Sequence, residues 1–158
     1  MDGIFKNSRG LRDLAKHARI ADFIRDHRLD FVGISETGKR DFSVSLLNRL
    51  SGGVEFTWKS RPPRGRSGGI LLGVRMETMD VLASSEGEFH IKFHIRNKAD
   101  NFIWSLVAVC GTAQVEHKSA FLRELVNLVK ENPYPIIIGG DFNLLRFPHE
   151  KSRERFDN

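Results

Sequence analysis

Cysteine is nearly absent from this chain. The single one, Cys110, excludes an internal disulfide and any zinc site built on several cysteines. An intracellular, reducing setting, nuclear or cytoplasmic, is the expectation that follows. Long apolar runs are missing too. No stretch approaches the roughly 18 residues needed to span a bilayer, so no membrane partner is expected. The opening segment, Met1-Asp2-Gly3-Ile4-Phe5-Lys6, lacks the basic-then-apolar order of a signal peptide. Nucleophilic catalysis has no foothold, because there is no Gly-x-Ser-x-Gly elbow and Cys110 has no histidine beside it. Gly68-Gly69 is too short for a phosphate loop, and nothing matches Gly-x-x-x-x-Gly-Lys. The six histidines do not cluster at ligand spacing. His90 and His94 are four apart but fall in a strand-like stretch, where that spacing does not gather a metal. His17 and His27 fall on a predicted helix and are expected at its surface.

What is present suits one globular domain spanning residues 1–158, with one sizeable core. Hydrophobic residues make up 40% and charged residues 28%, and twelve phenylalanines stand against one tyrosine. A formal net charge of +5 is compatible with a polyanion such as nucleic acid without requiring one. The densest basic stretch is Lys59-Ser60-Arg61-Pro62-Pro63-Arg64-Gly65-Arg66. Arg61, Arg64 and Arg66 are candidate phosphate contacts, with a solvated loop as the plainer alternative.

Periodicity places the elements. A short strand at 4–8 is followed by apolar residues at helical spacing over 11–27. A strand at 29–35 ends in Glu36-Thr37, and a short helix at 42–49 is stopped by Ser51-Gly52-Gly53. The pattern then turns to strands at 54–58, 70–74, 79–83, 89–95 and 102–109. A helix at 116–131 presents Leu122, Leu125, Val126 and Val129 on one face and stops at Asn132-Pro133. Pro135-Ile136-Ile137-Ile138 has no alternation and reads as a strand buried on both faces. The order β-α-β-α, several β, then α-β describes a mixed α/β layered domain.

That last strand delivers Gly139-Gly140-Asp141-Phe142-Asn143 to a sheet edge, and the 29–35 strand delivers Ser35-Glu36. If both strands are central and parallel, the two carboxylates share one edge, where a divalent cation relieves their repulsion. Oxygen donors without histidine or cysteine favour Mg²⁺ or Mn²⁺ over zinc, and a hard cation there suits attack on a phosphoester. The plain alternatives are an N-cap or surface acid for Glu36 and a turn aspartate for Asp141. Asn7 and Asn143 each read either as an amide that orients a phosphate or metal-bound water, or as an Asx turn. Cys110 ends an apolar strand and reads as core packing.

Asn7-Ser8-Arg9-Gly10-Leu11, Ser35-Glu36-Thr37, Ser67-Gly68-Gly69-Ile70 and Gly140-Asp141-Phe142-Asn143 together resemble the endonuclease/exonuclease/phosphatase superfamily. More narrowly, the chain resembles the N-terminal endonuclease domain of plant non-LTR (LINE-type) retrotransposon proteins. The resemblance implies a four-layer α/β sandwich, incomplete at the C-terminus, and Mg²⁺-dependent phosphodiester cleavage of DNA. By position, Asn7 would help hold metal or phosphate, and Glu36 would be the metal-binding carboxylate. Asp141 would orient or deprotonate the attacking water, and Asn143 would hydrogen-bond the scissile phosphate. The chain departs from the pattern in having Cys110-Gly111 where the family has Tyr-Gly, in Lys6 where an aromatic residue is common, and in ending before a Ser-Asp-His segment.

Two functions from different classes stay open. One is a DNA endonuclease, weak or inactive in this chain. The other is a non-catalytic, retrotransposon-derived module that binds nucleic acid, a protein or a second copy through an exposed sheet edge. A phosphatase on the same fold is a third option.

Overall fold

The structure, a computed structural model, describes residues 1–64 and 68–143. Strand β1 (Gly3–Asn7) runs parallel to β2 (Phe31–Ser35), joined by helix α1 (Leu14–Asp26). Helix α2 (Val44–Leu50) leads to β3 (Phe56–Arg61) and β4 (Ile70–Arg75), which complete a sheet of order β1-β2-β4-β3. Strands β5 (Met79–Glu86), β6 (His90–Asn97) and β7 (Ile103–Cys110) form an antiparallel run. Helix α3 (Lys118–Glu131) then crosses over to β8 (Ile136–Asp141), parallel to β7, giving a second sheet of order β5-β6-β7-β8.

Alternation along the strands divides the core into three. Phe31, Ile70, Leu72 and Val74 of the first sheet meet Ile91, Phe93, Ile95, Leu106 and Ala108 of the second between the sheets. Val32, Ile34 and Leu71 point the other way, onto Ile20 and Ile24 of α1 and Leu46 and Leu50 of α2. Val107 and Val109 face Phe121 and Leu128 of α3. The result is a four-layer α/β/β/α sandwich, as the sequence led us to expect. Among the described residues no helix is long and apolar enough to cross a membrane.

The sheets meet most closely at β1 and β8. The Phe5 ring lies against Gly139, where a Cβ would stand 2.1 Å from Phe5 Cδ2, and against Gly33, where it would stand 2.6 Å from Cδ1. Only hydrogen fits at either position, so both glycines are there for close approach.

Three expectations need correction. The Ile136–Ile138 run is not buried on both faces. Among the described residues β8 pairs only with β7, and Ile137 is 38% exposed. A continuous apolar run shows that a strand needs cover but not that the cover is present. Helix α3 packs through Phe121 and Leu128, whereas Leu122, Val126 and Val129 are exposed. Its two apolar stripes compete for one sheet, and the stripe with the larger aromatic faces inward. His17 is buried rather than superficial, its Nε2 2.6 Å from the Leu11 carbonyl oxygen, because Leu11 itself is drawn into the core. Helix α1 accordingly starts later than its apolar spacing, at the Asp13 cap, whose Oδ1 accepts from the Ala15 N–H at 2.8 Å.

The turn between β5 and β6 is held from both sides. Arg61, fully buried at the end of β3, donates from Nε to the Gly87 carbonyl at 2.6 Å. From α3, Glu124 accepts from the Glu88 N–H at 3.0 Å, the Phe89 N–H at 2.8 Å and His90 Nδ1 at 2.7 Å. Burial opposes ionisation of Glu124, but the bonds from His90, Phe89 and Glu88 outweigh it and hold the carboxyl below its ordinary value. A depressed folded value stabilises the fold above the unfolded one, and that stability is lost as pH falls through the folded value. Urea midpoints of the parent are therefore expected to drop as pH falls below 4.5, the ordinary carboxyl value, more steeply than those of Glu124→Gln. Parallel pH profiles for the two proteins would refute this role for Glu124.

Candidate functional site

The carboxyl ends of β1, β2, β7 and β8 lie at one end of the sandwich. Parallel register sets Asn7 beside Ser35 in one sheet and Cys110 beside Asp141 in the other. Alternation turns all four side chains into the gap between the sheets. There Asn7 Nδ2 donates to Asp141 Oδ2 at 2.7 Å, joining the sheets. The two carboxylates expected at one edge thus come from different sheets. Glu36 follows a central strand, while Asp141 ends a strand with no outer neighbour among the described residues.

Asn7 makes the Asx turn, and both asparagines donate to Asp141. Asn7 Oδ1 accepts from the Arg9 N–H at 3.0 Å, an Asx turn, while its amide nitrogen serves Asp141. The Asn143 N–H donates to Asp141 Oδ1 at 3.0 Å, and its side-chain Nδ2 lies 3.5 Å from Oδ2. Asp141 is a turn aspartate as well as a candidate catalytic group.

Glu36 is not a helix cap, since Ser43 caps α2. Its carbonyl accepts from the Gly10 N–H at 2.7 Å and from Ser8 Oγ at 3.0 Å. Its side chain lies over Gly68, where a Cβ would stand 3.3 Å from Glu36 Cγ. The Glu36 carboxylate has no hydrogen bond or ion pair among the described residues. Five non-glycine residues among those described have positive φ, and three of them, Arg9, Glu36 and Asn143, are in this site. Such backbone costs about 1–3 kcal/mol per residue and concentrates where geometry serves function.

The basic candidates part company. Arg61 is fully buried, with Nε on Gly87 and Nη1 on the Pro62 carbonyl at 3.1 Å, while Nη2 has no partner. Burial, and then the like charge of Arg64, lowers its pKa from the ordinary value. Arg64 is exposed, and Arg66, with Ser67 of the Ser-Gly-Gly motif, lies outside the described residues. Cys110 is buried against the inter-sheet core, as its core-packing reading expected.

Sequence reasoning missed three residues here. Ser35 Oγ is buried without a hydrogen-bond partner, beside Asn7. Lys16 Nζ donates to the carbonyls of Ser8 at 2.6 Å, Gly10 at 3.1 Å and Arg9 at 3.5 Å. Lys118 Nζ donates to the Asn143 carbonyl. For Ser35, its place before Glu36 at a strand end was the available signal. For the lysines there was none, because both act on main-chain carbonyls, which no residue type marks.

No three of the described His, Cys, Asp and Glu side chains cluster at ligand distance. The donors present are two carboxylates and two amides, with the unpartnered Ser35 hydroxyl beneath. That set fits a Mg²⁺-like ion, which binds through one or two carboxylates and keeps several waters.

The sequence model of the Endonuclease/Exonuclease/phosphatase family matches residues 2–154. No curated protein matches by sequence. Among solved structures, the chain is similar to the Bacteroides thetaiotaomicron mannosyl-6-phosphatase Bt3783, with a TM-score of 0.65 and 15% identity over 90% of this chain and 65% of that one. It is also similar to D. rerio TDP2 complexed with single strand DNA product, with a TM-score of 0.65 and 17% identity over 90% of this chain and 60% of that one. A functionally unknown protein from Enterococcus faecalis gives a TM-score of 0.71 at 13% identity, over 98% of this chain and 72% of that one. The chain thus spans 60–65% of the phosphatase and TDP2 structures.

The bond from Asn7 to Asp141 should register as an energetic coupling between the sheets. A double-mutant cycle of Asn7→Ala and Asp141→Ala in urea unfolding is expected to give a coupling of about 0.5–1.5 kcal/mol, reduced by partial exposure. Strict additivity would show that the contact holds nothing together.

Proposed function

This chain belongs to the endonuclease/exonuclease/phosphatase family, and from that premise we propose that it is a DNA phosphodiesterase dependent on Mg²⁺ or Mn²⁺. The observation that carries the reading is the meeting of Asn7, Glu36, Asp141 and Asn143 at one end of the sandwich, with strained backbone at two of them.

Glu36 is the free carboxylate and would hold the cation, with Asn7 beside it. When bound, the cation polarises a phosphoryl oxygen and offsets charge on the leaving group. Asp141 Oδ1 has two acceptor sites and spends one on the Asn143 N–H, which leaves acceptor capacity to orient the attacking water and to take its proton. The Asn143 amide would donate to the phosphate. Buried Cys110 cannot contribute the phenol donor found at its position in similar enzymes. Losing one transition-state donor costs on the order of 10²–10³ in rate, so slow turnover is expected.

DNA is favoured as substrate by the loops around the site. Arg9 and Arg12 follow β1, Lys39 and Arg40 follow β2, and Arg64 follows β3. The likeness to a TDP2 structure holding a DNA product supports the same reading, and the motifs support a retrotransposon-type origin.

A second reading, a binding module, is favoured by the flank at β1 and β8. Among the described residues neither strand has an outer neighbour, and Ile137, Leu122, Val126 and Val129 are exposed on the second sheet and its helix. Beside β1, a groove of 570 Å³ is lined by Ile4, Phe5, Ile20 and Phe23, with Lys6 and Asp22 among its charged members.

Supercoiled plasmid incubated with Mg²⁺ separates the two. Nicking is expected from the parent and is expected to fall by about 10²–10⁴ in Asp141→Ala and Glu36→Gln. Equal traces from all three proteins would mean contamination and defeat the enzyme reading. For the binding module in its self-associating form, light scattering should give a mass above the chain's 18.0 kDa that returns to it in Val126→Lys. A monomer at every concentration excludes that form.

A further inference from the structure

Two lysines lie under the site, and they differ in what they have left to give. An ammonium has three N–H donors and no acceptor. Lys16 spends its donors on the carbonyls of Ser8, Arg9 and Gly10, which fixes the turn that follows Asn7. Among the described residues, Lys118 is bonded only to the Asn143 carbonyl and is paired with no carboxylate. It opens α3, directly after the loop that leaves β7 at Cys110. The carbonyl it holds belongs to a residue in the left-handed region, two residues past the end of β8. Its ammonium is thus held in place beside Asn143 and is only partly buried, with two donors unused among the described residues.

Building on the phosphodiesterase reading, we propose that Lys118 is a phosphate-binding residue of this site. One N–H holds the Asp141-Phe142-Asn143 turn, and the others meet a non-bridging oxygen of the phosphate that Asn143 receives. A lysine serves here as a point charge whose rotamer freedom has already been surrendered in the free protein, so little further ordering is needed when the phosphate arrives. Electrically, it supplies the positive charge that the carboxylates Asp141 and Glu36 would otherwise deny to an anionic substrate. Lys16, with its donors used, is a positioning residue for the Asn7 turn and carries no such role.

A phosphate contact and a structural tie leave different traces. The affinity of a duplex DNA oligonucleotide is measured by fluorescence anisotropy against salt, in EDTA to prevent cleavage, for the parent, Lys118→Met, Lys118→Arg and Lys130→Met. Lys130 sits in the last turn of α3 and serves as the control. Each protein is first shown by thermal unfolding to be folded. Replacing one phosphate-contacting lysine should lower the slope of log K against log salt by about one. We expect that fall in Lys118→Met, its recovery in Lys118→Arg, and the parent slope in Lys130→Met. The Asn143 amide resonance in Lys118→Met reports the tie separately. If that resonance moves while the slope stays at the parent value, Lys118 is a structural tie and the proposal is overturned. If the parent itself shows no salt-dependent affinity, the DNA reading falls first and takes this proposal with it.

Discussion

Everything at the functional end of this molecule depends on how closely two separate sheets approach at β1 and β8. The approach is possible because positions 33 and 139 carry no side chain, so the Phe5 ring lies flat against backbone on both sides. A methyl group at 139 would overlap that ring and push the strands apart. Asn7 is two residues beyond Phe5 and Asp141 is two beyond Gly139. The same wedge that seals the core therefore sets the distance over which Asn7 reaches Asp141. The site is a downstream result of core packing.

Charge placement follows from the same architecture. At the same end of the sandwich, on the β3 and β5 flank, Arg61 and Glu124 grip one turn from different layers. There the carboxylate is satisfied by three donors and serves as structure. At the site, Glu36 has no such partners among the described residues, and Asp141 is held by two amides. Acidic residues in one chain thus divide into those bonded by several main-chain donors and those that are not. A basic residue can be lost to function in the same manner. Arg61 looked like a phosphate contact in the sequence, yet its guanidinium is enclosed in the protein.

The layered fold, and the placing of Asn7, Glu36 and Asp141 at strand ends, were legible in the sequence because each sits where a regular pattern ends. Asn7, Glu36 and Asp141 all follow apolar strands, and strand ends can be read from local periodicity. What was not legible depends on contacts between distant segments. Nothing in Pro135–Ile138 tells a central strand from an edge strand, since the hydrophobic pattern is the same and only the neighbour differs. Helix α3 carries two apolar stripes, and the choice between Phe121 and Val126 was made by the shape of the second sheet. The roles of Lys16 and Lys118 escaped for a related reason. Their partners are carbonyl oxygens, which every residue has, so no residue type announces them.

The left-handed backbone at Glu36 sets stability against use. An ordinary residue at φ 52 carries strain of about 1–3 kcal/mol that glycine would not. Glycine would return at most about 1 kcal/mol of that through the greater freedom of the unfolded chain. The residue that best suits this position for folding is therefore one that cannot bind a cation. Where selection acts on stability alone, copies of this gene should drift toward glycine at 36. A glutamate retained there marks a lineage in which the carboxylate has been kept at the expense of the fold.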